Sequence, residues 1–131
     1  MTGPARKNVA GEWVERAAHD WETAKQLAES DRFHPDVVGM LVQQAVEKYL
    51  KGYLISKGWE LERTHDLERL CKIAAKHDKG FGGFVDGCIE IGEFYITGRY
   101  PPIAGEEVTG EEIESTMKSA EELVKFIIQR M

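Results

Sequence analysis

Apolar residues recur every three or four positions along most of the chain, which is the spacing of the buried face of an α-helix. The breaks between these stretches predict five helices, over residues 8–30, 35–57, 64–76, 82–96 and from 109 to the C-terminus. No stretch alternates polar and apolar residues for long enough to predict a β-strand. We therefore predict an all-α fold, an antiparallel up-and-down bundle of four to five helices. The length of 131 residues fits a single domain over 1–131.

The second and fifth predicted helices have the clearest buried faces. Pro35 opens the second helix and Gly58 ends it. Its inner face comprises Val38, Val42, Ala45, Val46, Tyr49 and Tyr53. The fifth helix begins with the pair Thr109 and Glu112, the spacing of a capping box. Its apolar positions, in steps of four and three, are Ile113, Met117, Ala120, Val124, Ile127 and Met131, and we expect the first five to be buried.

The remaining positions of the second helix hold charged and amide side chains, in the segment LVQQAVEKYLKGYL. On a helical wheel, Gln44, Lys48 and Lys51 gather at one edge of the apolar arc. Glu47 lies further round and is spaced to pair with Lys51 at i,i+4. One interpretation is a solvated helix face with supporting charges. The other is a polar strip beside a groove, where two amines and an amide hold an anion or a partner helix.

Composition narrows the classes of function. The net charge of −6 argues against a high-affinity, nonspecific DNA-binding protein, which needs a basic excess to neutralise phosphates. A small anionic ligand, or RNA held by a local basic patch, remains compatible with this charge. There is no apolar run long enough for a membrane span or a signal peptide, so we predict a cytoplasmic protein without membrane contact. Cys71 and Cys88 have no metal-ligand spacing and are interpreted as reduced core residues.

Two further places carry candidate site residues. His65 and Asp66 stand at the predicted start of the third helix, where Asp66 either caps the helix or helps to form an anion site. Arg99 and Tyr100 precede Pro101, which favours an extended conformation at Tyr100. They either anchor the loop, or contact a phosphate through Arg99 and a base through Tyr100.

Several segments together resemble the HEPN family of small prokaryotic helical domains. These are QQAVEKYLKGYLISKG, then THDLERL and GRYP, and the earlier stretch AAHDWETAKQLAE. The resemblance extends from about Glu12 to the C-terminus. It implies a helical bundle that forms a homodimer, binds a nucleotide and pairs with a minimal nucleotidyltransferase in toxin–antitoxin-type modules. Pro102 stands where the family pattern often has an acidic residue.

Many members of the HEPN family are metal-independent ribonucleases that carry an arginine, four to six intervening residues and a histidine. The histidine transfers protons and the arginine stabilises charge on the phosphate. None of His19, His34, His65 and His77 follows an arginine at that spacing. Lys72 precedes His77 at a similar distance but lacks the planar guanidinium fork. We therefore assign no catalytic residue, no metal site and no cofactor.

The sequence thus favours a non-catalytic HEPN-domain protein that binds a nucleotide, a nucleotidyltransferase, or both. The alternatives are a ribonuclease with a different active site, such as Lys72, His77 and Arg99, and a purely structural interaction module. We expect the binding site to be a positively charged groove that holds a phosphate or an acidic partner segment. The residues predicted to border it are Gln44, Lys48, Lys51, His65, Asp66, Arg99 and Tyr100.

Overall fold

The computed structural model describes residues 1–102 and 107–131. Its helices are α1 (Gly3–Ala28), α2 (Pro35–Ser56), α3 (Leu67–Ala75), α4 (Val85–Gly92), α5 (Phe94–Thr97) and α6 (Gly110–Ile128), with a 3-10 helix at Lys79–Phe84. No β-strand occurs in these described ranges, and the predicted all-α fold is confirmed. None of the described helices is long and apolar enough to cross a membrane.

The predicted boundaries are wrong at three places, each for a local reason. The first helix begins at Gly3, because the Thr2 side chain caps it by accepting from the Ala5 N–H. The third helix begins only at Leu67, since Asp66 is its N-cap and accepts from the Arg69 N–H at 3.2 Å. The predicted fourth helix is divided into the 3-10 helix, α4 and α5. Its glycine-rich start has low helix propensity, which favours the short 3-10 segment.

Helix α2 is the central element, since α1, α3, α4, α5 and α6 all pack against it. All six residues predicted for its inner face are buried. The polar side chains of Gln43, Glu47 and Lys51 are buried as well. The interpretation of the polar positions as a solvated face is therefore wrong for Lys51, because α1 covers this side of α2.

Two glycines of α2 allow its neighbours to approach closely. A methyl group at Gly39 would overlap the Phe94 ring of α5. At Gly52 it would lie 2.9 Å from Val14 Cγ2 and 3.2 Å from the Ala10 carbonyl oxygen of α1. Both helices thus pack against backbone of α2 where a larger side chain does not fit.

Helix α6 confirms most of its predicted buried face. Ile113, Ala120, Val124 and Ile127 are buried, whereas Met117 is only partly buried and packs on the edge of the core. Met131 lies beyond the end of α6 and is exposed. The Thr109 hydroxyl accepts from the Glu112 N–H at 3.1 Å. Within residues 107–131, the Glu112 carboxylate does not accept the reciprocal hydrogen bond from the Thr109 N–H.

Candidate functional site

The carboxylate of Glu47 is the centre of a buried polar cluster on α2. Its Oε1 accepts a hydrogen bond from Gln43 Nε2 at 3.0 Å and lies within hydrogen-bonding distance of His65 Nδ1, at 2.9 Å. Its Oε2 accepts from Lys51 Nζ at 3.0 Å. Gln43, Glu47 and Lys51 are four residues apart, which places them on one side of the helix. We call these three side chains together with His65 the Glu47 cluster.

Burial of the charged side chains in this cluster costs free energy. The side chains of Lys51 and Glu47 are only 5% and 11% exposed, so both charges have lost most of their water, and the ion pair must offset that cost. The Trp13 ring of α1 lies 5.7 Å from Lys51 Nζ and shields it further. Lys51 therefore neutralises Glu47 and has little surface with which to contact a ligand.

His65 is the member of the Glu47 cluster that lies at the surface, and its side chain is 49% exposed. Its ring stacks on that of Tyr95, with the centroids 4.5 Å apart and the planes inclined by 20°. The guanidinium carbon of Arg99 lies 4.2 Å from the same Tyr95 centroid, and Arg99 Nη1 donates to the Tyr95 carbonyl at 2.9 Å. Tyr95 thus brings an imidazole and a guanidinium together from distant parts of the sequence.

A groove of about 530 Å³ opens beside this stack, between the start of α3 and the outer sides of α4 and α5. We call it the His65 groove. Its lining residues are Arg63, Thr64, His65, Asp66, Leu67, Glu68, Cys88, Ile89, Gly92, Glu93, Tyr95 and Ile96. Ile89 and Ile96 expose apolar surface there. The charged side chains of the lining are Arg63 and three carboxylates, one of which, on Glu68, is paired with Lys72 at 2.6 Å.

The predicted groove residues are therefore only partly brought together. His65 and Asp66 line the His65 groove, and Arg99 adjoins it through Tyr95. Lys51 is linked to His65 through Glu47 but stays buried. Tyr100 is exposed and follows Arg99 directly.

Lys48 and Gln44 do not line this groove. Lys48 Nζ pairs with Asp20 of α1 at 2.5 Å and lines a separate groove of about 290 Å³ with Glu12, Trp13 and Arg16. Gln44 is partly exposed. The prediction that Gln44, Lys48 and Lys51 border one groove with His65 and Asp66 is wrong, because none of the three lines the His65 groove.

Sequence reasoning missed Gln43 and Tyr95 as site residues and recognised Glu47 only as a partner of Lys51. The spacing of Gln43, Glu47 and Lys51 was a usable signal, since three polar residues at i, i+4 and i+8 lie on one stripe. Tyr95 had no comparable signal, because its contact with His65 joins residues that are far apart in the sequence.

The alternative catalytic group of Lys72, His77 and Arg99 is not assembled. Lys72 pairs with Glu68 on the surface of α3, and His77 follows the C-terminal end of that helix. Arg99 lies near His65, at the other end of α3, and nine residues of helix span roughly 13 Å. Among the described residues, no group of three or more His, Cys, Asp and Glu side chains could hold a metal ion.

Both cysteines are free and buried, as predicted, and Cys88 lines the groove. The Cys71 thiol donates to the Phe81 carbonyl at 3.3 Å. The hydrogen bond between Cys88 and Cys71, together with the burial of Cys88, raises the pKa of the Cys88 thiol. The raised pKa disfavours the thiolate, so Cys88 is a poor nucleophile although it lines the groove.

Comparison with known proteins supports the resemblance noted in the sequence. The family model of the HEPN domain matches residues 10–131, and the chain belongs to the HEPN-domain family. The fold is similar to the crystal structure of ST0689, an archaeal HEPN homologue, with a TM-score of 0.71 and 20% sequence identity. The match covers 92% of this chain and 96% of that one. A comparison with curated proteins found no match.

Proposed function

We propose that this protein is a non-catalytic, single-domain HEPN protein that binds a nucleotide in the His65 groove. The observation that carries the proposal is the fixed arrangement of His65, Tyr95 and Arg99 at the edge of that groove. Each of these side chains is held by a contact to another part of the protein. Little side-chain freedom is then lost when a ligand binds, which favours affinity.

The groove has the size and chemistry that a nucleotide requires. Its volume of about 530 Å³ lies within the usual range of roughly 300–1,000 Å³ for small-molecule sites. The exposed side chain of Ile89 supplies apolar surface for a base. Arg63 and Arg99 supply guanidinium groups for a phosphate. The planar fork of donors on a guanidinium matches the arrangement of the phosphate oxygens.

The charge balance favours a single nucleotide over a long RNA strand. The groove lining contains Arg63 together with the carboxylates of Asp66 and Glu93. Arg99 adjoins the lining through Tyr95, and Glu68 is paired with Lys72. One or two phosphates can be bound by two arginines. A polyanionic strand needs an extended cationic surface, and the lining of this groove does not offer one.

We also infer a role in assembly, as a homodimer and as the partner of a minimal nucleotidyltransferase in a cytoplasmic module of the toxin–antitoxin type. Ile96 and Tyr100 are 57% and 61% exposed on the side of α5 and the segment that follows it. Exposed apolar and aromatic side chains of this kind are typical of protein–protein contacts. They support a homodimer formed through this surface.

A specific observation also supports the alternative of a metal-independent ribonuclease. The Glu47 carboxylate orients His65, and Arg99 lies near the same Tyr95 ring. An oriented imidazole beside a guanidinium is the pair that such a reaction uses. However, among the described residues His65 is the only imidazole that lines the groove, and the leaving oxygen needs a proton donor as well. We therefore favour binding without cleavage.

Calorimetric titration with AMP, ADP, ATP and GMP tests the proposal. We expect at least one of these nucleotides to bind wild-type protein and Arg99→Ala to bind it about tenfold more weakly, because a hydrogen bond to a charged group contributes roughly 1.5–3 kcal/mol. Arg69→Ala is the matched control, since Arg69 pairs with Glu62 away from the groove and should keep wild-type affinity. No binding of any nucleotide would leave the structural interaction module as the better explanation.

A further inference from the structure

The Glu47 cluster determines which nitrogen of His65 carries a proton. The Glu47 carboxylate forms an ion pair with Lys51 and accepts a hydrogen bond from the Gln43 amide. An ionised carboxylate only accepts hydrogen bonds. The 2.9 Å contact between Glu47 Oε1 and His65 Nδ1 therefore requires Nδ1 to be the donor.

In the neutral form of the ring, the opposite nitrogen is then an acceptor. A neutral imidazole has one N–H, and with that proton on Nδ1 the Nε2 atom carries a lone pair. His65 Nε2 makes no hydrogen bond to the described residues, and the side chain lines the groove. Stacking on Tyr95 fixes the plane of the ring. A ligand in the groove thus meets an oriented acceptor beside the cationic Arg99.

We propose that His65 Nε2 accepts a hydrogen bond from a ribose hydroxyl, so that the groove selects ribonucleotides over deoxyribonucleotides. Glu47 is the positioning residue, because it fixes the tautomer and the orientation of His65 without contacting the ligand. This inference rests on the proposed nucleotide-binding function. A site built around a hydroxyl discriminates against a ligand that lacks it, since the acceptor is left unpaired.

The tautomer is tested in the ligand-free protein by NMR of the ring nitrogens, with His65→Phe to assign the signals. At slightly alkaline pH we expect Nδ1 to be protonated and Nε2 to carry the lone pair. The double variant Glu47→Met with Lys51→Met removes the carboxylate without leaving an unpaired buried charge, and it should lose this preference. A wild-type His65 with its proton on Nε2 would overturn the inference.

The selectivity is tested by calorimetry with AMP, 2′-deoxy-AMP and 3′-deoxy-AMP. We expect AMP to bind about threefold to tenfold more tightly than 2′-deoxy-AMP, as one uncharged hydrogen bond predicts, and 3′-deoxy-AMP to bind like AMP. His65→Phe keeps an aromatic ring on Tyr95 but has no acceptor, so it should bind all three ligands equally. Equal affinities in the wild type would overturn the hydroxyl preference alone. No AMP binding would overturn it together with the proposed function.

Discussion

Lys51 and Glu47 form an ion pair of 3.0 Å within a single helix, and α1 buries it almost completely. The pair lies behind His65 and determines how that side chain meets the groove. In sequence, Glu47 and Lys51 resemble an ordinary charged pair on a helix surface. In the fold, they are buried and position His65 in the candidate site. The stability of the fold and the geometry of the site depend on the same residues.

Removal of Lys51 should destabilise the protein strongly. Lys51→Ala leaves the Glu47 carboxylate buried beside only neutral partners, which costs about 3–5 kcal/mol. Lys48→Ala removes a partly exposed pair with Asp20 and should cost about 1 kcal/mol or less. Urea unfolding of both variants measures the two losses of unfolding free energy. Similar losses would show that Glu47 does not need Lys51 as a buried partner.

A methyl group at Gly39 should disturb the contact between α2 and α5. Gly39→Ala overlaps the Phe94 ring, and overpacking of this kind costs about 1–3 kcal/mol. Gly87→Ala in α4 is the control, because its nearest new contact is Ser119 Cβ at 3.8 Å and a helix favours alanine over glycine. Thermal unfolding should show a lower Tm for Gly39→Ala and not for Gly87→Ala. A wild-type Tm for Gly39→Ala would refute this packing.

The ion pair between Asp78 and Arg130 should make stability depend on pH. The hydrogen bonds from Arg130 and from the Gly80 N–H lower the pKa of Asp78 below its ordinary value of 3.8. Because the folded-state pKa is depressed, the stabilisation is present above about pH 4 and is lost as the pH falls through the folded-state value. Asp78→Asn should therefore have a lower Tm than wild type at neutral pH.

The difference between Asp78→Asn and wild type should shrink in acid. Asp31→Asn is the matched control, since Asp31 is exposed and has no hydrogen bond or ion pair within the described residues. Thermal scans of the three proteins from about pH 7 to about pH 2.5 provide the measurement. A Tm difference that stays constant over this range would mean that the Asp78 charge does not contribute.

The surface that includes Ile96 should mediate dimer formation. We expect sedimentation to show a dimer at micromolar concentration and Ile96→Glu to shift it towards monomer, because a charge at an apolar contact is costly to bury. Ile128→Glu introduces the same charge at an exposed residue of α6 and should leave the dimer intact. Monomeric wild-type protein, or equal effects of the two variants, would count against this interface.

We expect no cleavage of single-stranded RNA in EDTA at ordinary enzyme concentrations. The prediction follows from the single imidazole in the groove and from the absence of an arginine at the family's ribonuclease spacing. His65→Phe and His77→Ala serve as controls. Cleavage that disappears in His65→Phe but persists in His77→Ala would establish the ribonuclease alternative at the groove.

The sequence predicted the helices better than the site, for physical reasons. The inner face of α2 and most of that of α6 followed from helical periodicity, because burial of one stripe is a local property of a helix. The burial of Lys51 did not follow, since it depends on how α1 covers α2. The contacts of His65 with Glu47 and Tyr95 join three separate segments, and no local pattern encodes such contacts.

The most direct test of the central claim is NMR mapping of AMP onto the wild-type protein. We predict that the signals that shift with AMP concentration belong to His65, Asp66, Tyr95, Ile96 and Arg99, and that Arg99→Ala raises the concentration needed. Shifts confined to Trp13, Arg16 and Lys48, which line the other groove, would contradict the assignment of the site. No saturable shift at any residue would contradict nucleotide binding itself.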